Sequence, residues 1–327
     1  MRTQPEPGRP LRWARALVAL GARGAAAFVL LRLLSRDLLP PVVVLDAFRP
    51  QLLLACLPLL LAALALRLRR DALLLFACIA LGAYAHRDAW SSRAPRAATS
   101  SDLRVLSWNV AGPLLASEHL ARTLARVEAD LVVLQEPPAD FASYAAAELA
   151  ALYPVRAFAG EDVRALGVLS RWPLSELRFV EPPAGNPWLE ARLDWRGRSI
   201  SIRGVHLSAW AAVLSRHSSA DENLATLLDS LEVGAPSVIL GDFNLAPWSP
   251  LLDALREREL RDSWPELGLG LGASFPVGGR WRGLPLPPLV RLDQVWVSPE
   301  WELLESRVGP DWGSDHLPVR ATLRLRP

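Results

Sequence analysis

The chain opens on three apolar stretches and then changes its period. The first runs from about Trp13 to Leu34 and carries Arg23 near its middle. The second covers roughly Leu52 to Leu66, and the third Ala72 to Ala85. A membrane-spanning helix needs about 20 predominantly apolar residues. The second stretch reaches that length when extended back through Pro50 and Gln51, and the third only when extended to Trp90. Arg23 within the first costs about 2.5–3.5 kcal/mol on insertion scales. A cleaved signal peptide, with Arg2 to Arg15 as its charged region, explains the first stretch but not the two that follow. The pattern therefore predicts an anchor of two or three transmembrane helices over residues 1–90.

Residues 91–102 (SSRAPRAATSSD) read as a polar linker of small residues and proline. Beyond it the apolar positions shorten into β-type runs: Leu103–Trp108, Leu131–Leu134, Ala165–Ser170, Glu190–Asp194, Ser199–His206, Ser237–Leu240, Asp293–Val297 and Val319–Leu325. Helical runs lie between some of them: Ala116–Glu128, Phe141–Leu152, Asp221–Leu231 and Leu251–Glu259. Many strands with fewer helices predict an α+β unit over 103–327, two sheets face to face with helices outside.

Charge divides along the same boundary. Residues 1–100 hold 14 Arg and 5 acids, a net +9, whereas residues 101–327 hold 22 Arg and 29 acids, a net −7. No lysine occurs anywhere, which reflects coding bias more than chemistry. The acidic C-terminal unit weakens a nucleic-acid reading, which calls for a basic face. Arg2, Arg9, Arg12 and Arg15, with Arg67, Arg69 and Arg70 between the second and third stretches, place the N-terminus and that turn in the cytoplasm. With three helices the C-terminal unit then lies outside the membrane, although Arg87, Arg93 and Arg96 oppose that orientation. The two cysteines, Cys56 and Cys78, sit in apolar runs, so neither a disulfide framework nor a thiolate metal site is expected.

Polar residues of interest recur just after apolar runs. Asn109 follows VLSW, Glu136 follows LVVLQ, His206 ends ISIRGV, and Asp242 and Asn244 follow VILG. Residues at strand ends project from a rigid sheet into a shared crevice. Singly, each has a bland reading: Asn109 as a turn former, Glu136 as a loop start before Pro137 and Pro138, His206 as a structural histidine. Asp242-Phe243-Asn244 and Ser314-Asp315-His316 are sharper, since each presents two polar ligands within one turn.

In this order the set resembles the endonuclease/exonuclease/phosphatase superfamily of DNase I-like nucleases, sphingomyelinases and inositol phosphatases. The matching segments are LSWNV (106–110), LVVLQE (131–136), GVLSRWPL (167–174), VHLS (205–208), VILGDFNLAP (238–247), RLDQVWVS (291–298) and SDHLPV (314–319). The resemblance implies a four-layer α/β/β/α sandwich and hydrolysis of a phosphodiester or phosphomonoester with Mg²⁺, or Mn²⁺ in its place. It implies metal binding by Glu136, Asn109 and Asp315, and activation of water by Asp242. It implies phosphate contacts from Asn244, His206 and His316, the last paired with Asp293. Arg171 is expected to be structural. Several nucleases of the superfamily use a tyrosine between the Glu and the Asp-x-Asn segments, and here only Tyr144 and Tyr153 lie in that interval, outside any matching segment. The Gly- and Pro-rich loop 268–288, with Arg280, Trp281 and Arg282, reads equally as a substrate rim or a plain surface loop.

The combined expectation is a multi-pass protein of a bacterial inner membrane whose hydrolase unit faces the extracytoplasmic side and acts on a phosphate ester, with lipid-linked phosphate as the candidate substrate. A tethered nuclease and an inactive binding module are the alternatives.

Overall fold

A computed structural model describes residues 9–35, 40–90, 93–208, 220–232, 234–280 and 282–326. The chain divides into two compact units, Met1–Arg87 and Asp88–Pro327.

The first unit is helical: α1 (Arg9–Ser35), α2 (Pro40–Ala47), α3 (Arg49–Ala65) and α4 (Arg69–Ala85). Small residues let the helices approach, and Val18, Ala22, Cys56, Ala63, Ala72 and Leu75 form the buried seam. Arg23 finds a partner in Asp71, Nε to Oδ1 at 3.7 Å, which offsets part of the cost of a charge in an apolar run. By length and composition one helix, Arg9–Leu34, is able to cross a membrane, or up to two if Pro41–Ala47 and Arg49–Ala65, bent by 76°, make one span.

The second unit is a sandwich of two six-stranded sheets, ordered β11-β12-β1-β2-β4-β3 and β5-β6-β7-β8-β10-β9. Its strands are β1 (Leu103–Asn109), β2 (Leu131–Gln135), β3 (Val155–Ala159), β4 (Leu166–Ser170), β5 (Leu174–Val180), β6 (Trp188–Trp195), β7 (Arg198–His206), β8 (Ser237–Asp242), β9 (Arg261–Asp262), β10 (Asp293–Val297), β11 (Trp301–Val308) and β12 (Val319–Leu325). Strict alternation explains how two sheets and outer helices share the same strands. Val105, Val133, Val238 and Leu240 point into the layer between the sheets. Leu106, Trp108, Val132 and Leu134 point outward onto α5 (Ser117–Ala125) and α6 (Phe141–Glu148). Val205, Ile239 and Trp296 meet Leu224, Leu227 and Leu228 of α7 (Ala220–Asp229). This is the expected α/β/β/α layering.

Each sheet holds one parallel pair, β1 with β2 and β7 with β8. Parallel neighbours need a crossover, usually helical, and α5 and α7 lie in those connections. Two crossovers of the same kind bring the C-terminal ends of four strands to one end of the sandwich, and the antiparallel partner β10 starts there.

Residues 93–102 run along the sandwich, held to it by hydrogen bonds. Arg93 N donates to Glu266 O at 2.9 Å, Arg96 N to Leu304 O at 3.0 Å, and Arg324 Nε to the buried Asp102 Oδ1 at 2.8 Å. Strands β3, β5, β9 and β11 were not expected. Trp301–Val308 (WELLESRV) has helical composition, yet pairing with β12 along its length overrides propensity. The expected helix Ala116–Glu128 is shorter, Ser117–Ala125, and Leu251–Glu259 splits into a 3₁₀ turn, Pro250–Leu252, and a short helix, Asp253–Glu257.

Candidate active site

Turns at the strand ends and pairing between neighbouring strands aim each side chain. Asn109, the last residue of β1, accepts the Ala111 N–H on Oδ1 at 3.0 Å, a turn of Asx type. Glu136 follows β2 with φ +53, an unfavourable backbone for a non-glycine residue that tends to persist at functional sites. Two backbone bonds pin it there: Glu136 N to Ala165 O at 2.9 Å and Gly112 N to Glu136 O at 2.8 Å. His206 and Asp242 are paired partners at the ends of β7 and β8, and Asp293 pairs with Asp242 from the other side. Gly241 is required just before Asp242, because a Cβ there would lie 1.9 Å from Val205 O. Asp242 Oδ1 then accepts Asn244 N–H at 2.8 Å, and Asn244 Nδ2 donates to Leu207 O at 2.9 Å.

Seven of the eight candidates meet directly. Asn109 Nδ2 donates to Glu136 Oε1 at 2.9 Å and to Asp242 Oδ2 at 3.0 Å. His206 Nε2 stands 3.6 Å from Glu136 Oε1 and 3.8 Å from Asp242 Oδ2. His316 Nε2 is also 3.8 Å from Asp242 Oδ2, and its Nδ1 is 2.8 Å from Asp293 Oδ2. Asp242 is therefore the hub, flanked by two imidazoles and one amide. Asp315 is the exception: half-buried, it acts on His316 through space and makes no hydrogen bond to the other seven among the described residues.

Burial disfavours a charged His316 ring, but the Asp293 and Asp242 carboxylates override it and push the ring up to about 10. Burial pushes Glu136 above the usual carboxylate range, and His206 and Asn109 only partly restore it. Buried carboxylates held against desolvation are a seat for a cation. One donor atom each from Asp242, Asp293 and His316 lies within 4.8 Å of the others. Because Nδ1 of His316 is engaged by Asp293, the oxygen-rich side, Glu136 and Asp242 with Asn109 between them, suits a hard divalent ion better. Asn109 there spends its amide on both carboxylates and its own oxygen on Ala111, so it orients the carboxylates.

Four residues outside the expected set hold the His316–Asp293 dyad in place. Ser314 Oγ donates to Asn109 O at 2.7 Å and accepts His316 N–H at 3.0 Å. Trp108 Nε1 donates to His316 O at 3.0 Å. Ser274, fully buried, receives the Leu292 and Asp293 N–H groups on Oγ, each at 3.3 Å, and its carbonyl accepts Leu317 N–H at 2.8 Å. The Phe275 ring packs 4.6 Å from the His316 ring. The start of the loop 268–288 is thus a clamp on the dyad. Its Trp281 lies outside the described residues. Arg171 is structural as expected: its guanidinium lies 5.6 Å from the Tyr153 ring, and Tyr153 is fully buried in the outer core.

The family model described as Endonuclease/Exonuclease/phosphatase family matches residues 106–316. Among solved structures, an endonuclease/exonuclease/phosphatase from Beutenbergia cavernae is 25% identical, with a TM-score of 0.56, covering 69% of this chain and 72% of that one. A humanised D. rerio TDP2 is 20% identical at TM-score 0.56, covering 69% and 100%. A 3′ phosphatase, NExo from Neisseria, bound to a product DNA hairpin, is 20% identical at TM-score 0.52, covering 67% and 98%. No curated protein sequence matches the chain. With most of the sandwich inside the matched span, the chain belongs to the endonuclease/exonuclease/phosphatase family of phosphoester hydrolases.

Proposed function

We propose that this chain is a membrane-anchored, Mg²⁺-dependent phosphoesterase that releases phosphate-bearing groups from a lipid-linked substrate, with residues 1–90 as a multi-pass anchor and 103–327 as the catalytic unit. The observation that carries the chemistry is the Asp242 hub, whose Oδ2 stands 3.8 Å from Nε2 of both His206 and His316. Glu136 would hold the ion, with Asn109 orienting its carboxylate and Asp315 as the neighbouring acid; Mn²⁺ would suit the same donors. A bound divalent cation supplies charge neutralisation at the phosphate oxygens. Asp242 orients the attacking water and takes its proton. Asn244 and His206 contact the phosphate. His316, kept protonated by Asp293, donates to the oxygen on which charge develops.

The membrane reading rests on the outer surface of the helical unit. Trp13, Leu17, Leu33, Leu61 and Phe76 are each at least 60% exposed, a density of bare apolar side chains that water does not tolerate and a bilayer does. The arginines of the N-terminal tail and of the Arg67–Arg70 turn favour the cytoplasmic side of a bacterial inner membrane, and three crossings would put the catalytic unit outside. Hydrolysis of nucleic acid is the second reading, supported by structures of the same fold that hold DNA products. The deciding test incubates full-length protein, in detergent or nanodiscs, with a chromogenic phosphodiester, a lipid-linked phosphate and supercoiled plasmid, with and without EDTA. Metal-dependent release from the lipid, lost in Asp242→Ala, is expected. Plasmid nicking without lipid turnover would replace this reading with the nuclease one, and no turnover of any ester would leave an inactive binding module.

A further inference from the structure

A second concave surface lies outside the catalytic constellation. A cleft of about 480 Å³ opens between α5 and the loop 311–313, within the size range of roughly 300–1,000 Å³ in which proteins hold small ligands. One wall is His119, Thr123 and Arg126, whose spacing puts them on one face of α5 and its final turn. The other wall is Arg280 and Trp312.

The charge balance of this cleft runs against that of the unit around it. Residues 101–327 are net acidic, yet here two arginines and a histidine face a single acid, Asp311. Asp311 is already matched, because Arg280 Nη1 donates to its Oδ2 at 2.9 Å. The Arg126 side chain is exposed, and its guanidinium makes no hydrogen bond or ion pair among the described residues. An unmatched guanidinium beside a hydroxyl and a second guanidinium is the donor set that oxyanions select.

The walls are rigid and reach the catalytic loop. Trp312 packs edge-on against Trp108, with centroids 5.3 Å apart, and His119 Nε2 bonds its carbonyl at 3.2 Å. Arg280 Nη1 also reaches Ser314 O at 3.4 Å, and Ser314 is the residue that ties Asn109 to His316. None of the eight catalytic candidates lines the cleft.

We propose that this cleft is a second anion-binding site, taking a phosphate-type oxyanion distinct from the scissile phosphate. Arg126, Arg280 and the Thr123 hydroxyl bind the anion, and Trp312 offers a flat wall to whatever bears it. The anion is either a second phosphate on the substrate or a free ion. The site stands whether or not the substrate is a lipid.

Calorimetric titration of EDTA-treated full-length protein with sodium sulfate tests it. Sulfate affinity should fall about tenfold in Arg126→Ala, the loss of one charge-assisted contact, and stay within about twofold in His316→Ala. The reverse pattern would place the anion in the catalytic site and overturn the proposal, as would no sulfate binding by wild type at millimolar concentration. A circular dichroism spectrum of Arg126→Ala guards against misfolding, which its exposed position makes unexpected. The source is read from KM. Arg126→Ala raises KM about tenfold only for a substrate with a second phosphate if the cleft reads the substrate, and changes neither KM if it takes a free ion.

Discussion

Replacing Asp293 by asparagine should convert a flat pH profile into one that fails above neutrality. Asp293 is fully buried, and its Oδ2 lies 2.8 Å from Nδ1 of His316. With Asp242 3.8 Å from the other ring nitrogen, it holds the imidazole at about 10. Against an ordinary value near 6.5, that corresponds to on the order of 5 kcal/mol favouring the charged ring. Asparagine keeps the shape and removes the charge. Asp242 and, more weakly, Asp315 must then offset burial without the hydrogen-bonded partner, and the ring falls back to about 6.5 or below. At pH 8 a ring of that pKa is only about 3% protonated, so charge alone accounts for roughly 30-fold. Loss of the oriented donor extends the fall in kcat to about 10²–10⁴-fold. The assay is the pH–rate profile of wild type and Asp293→Asn on a chromogenic phosphodiester with saturating divalent cation. Wild type should hold its rate through pH 8, and the variant should recover part of its rate toward pH 6. A pH-independent loss, or a variant profile of wild-type shape, would refute the assignment of ring charge to Asp293. The same linkage has a stability sign: a ring whose folded pKa is raised stabilises fully below about pH 6.5, and the contribution fades as pH rises through about 10.

Other outcomes follow from the same contacts. Gly241→Ala would place a Cβ 1.9 Å from Val205 O and force β7 and β8 apart at the His206–Asp242 pair; thermal melts should show a loss of about 1–3 kcal/mol, and kcat should fall about 100-fold for a displacement near 1 Å. Ser274→Ala removes the buried hydroxyl that receives the Leu292 and Asp293 amides; kcat should drop at least about tenfold with KM unchanged, and Ser274→Thr should restore most of it. Asp102 is held well below the usual carboxylate range, first by its hydrogen bond from Arg324. Its contribution is therefore present above about pH 4 and lost as pH falls through the depressed value. Asp102→Asn should lower the midpoint of thermal unfolding of the second unit by a few degrees, consistent with about 1 kcal/mol after discounting for the partly exposed Arg324, and the gap to wild type should close in acid.

Periodicity alone determined a good deal of this protein. The runs ending in Asn109, Glu136, His206 and Asp242 are legible because a strand buried on both faces is mostly apolar, and a polar residue closing such a run marks the rim of the sheet. The Asp242-Phe243-Asn244 turn is legible for a local reason as well, since it presents two polar ligands within one turn. The helical runs of the first 90 residues are legible by length and composition. Strand β11 was not, because WELLESRV has helical composition and becomes a strand only by pairing with β12. Nor were Ser274 and Phe275, whose loop has no periodicity; they matter only because Asp293 and Leu317 come to rest against them. The polar stretch 91–102 read as a linker, yet the backbone of Arg93 and Arg96 bonds to Glu266 and Leu304, and backbone partners leave no trace in side-chain pattern. Side-chain period encodes which face of an element is buried. Which strand ends meet is set by the crossovers and the closure of one sheet on the other, and only that closure brought Asp242 between His206 and His316 and gave His316 its carboxylate.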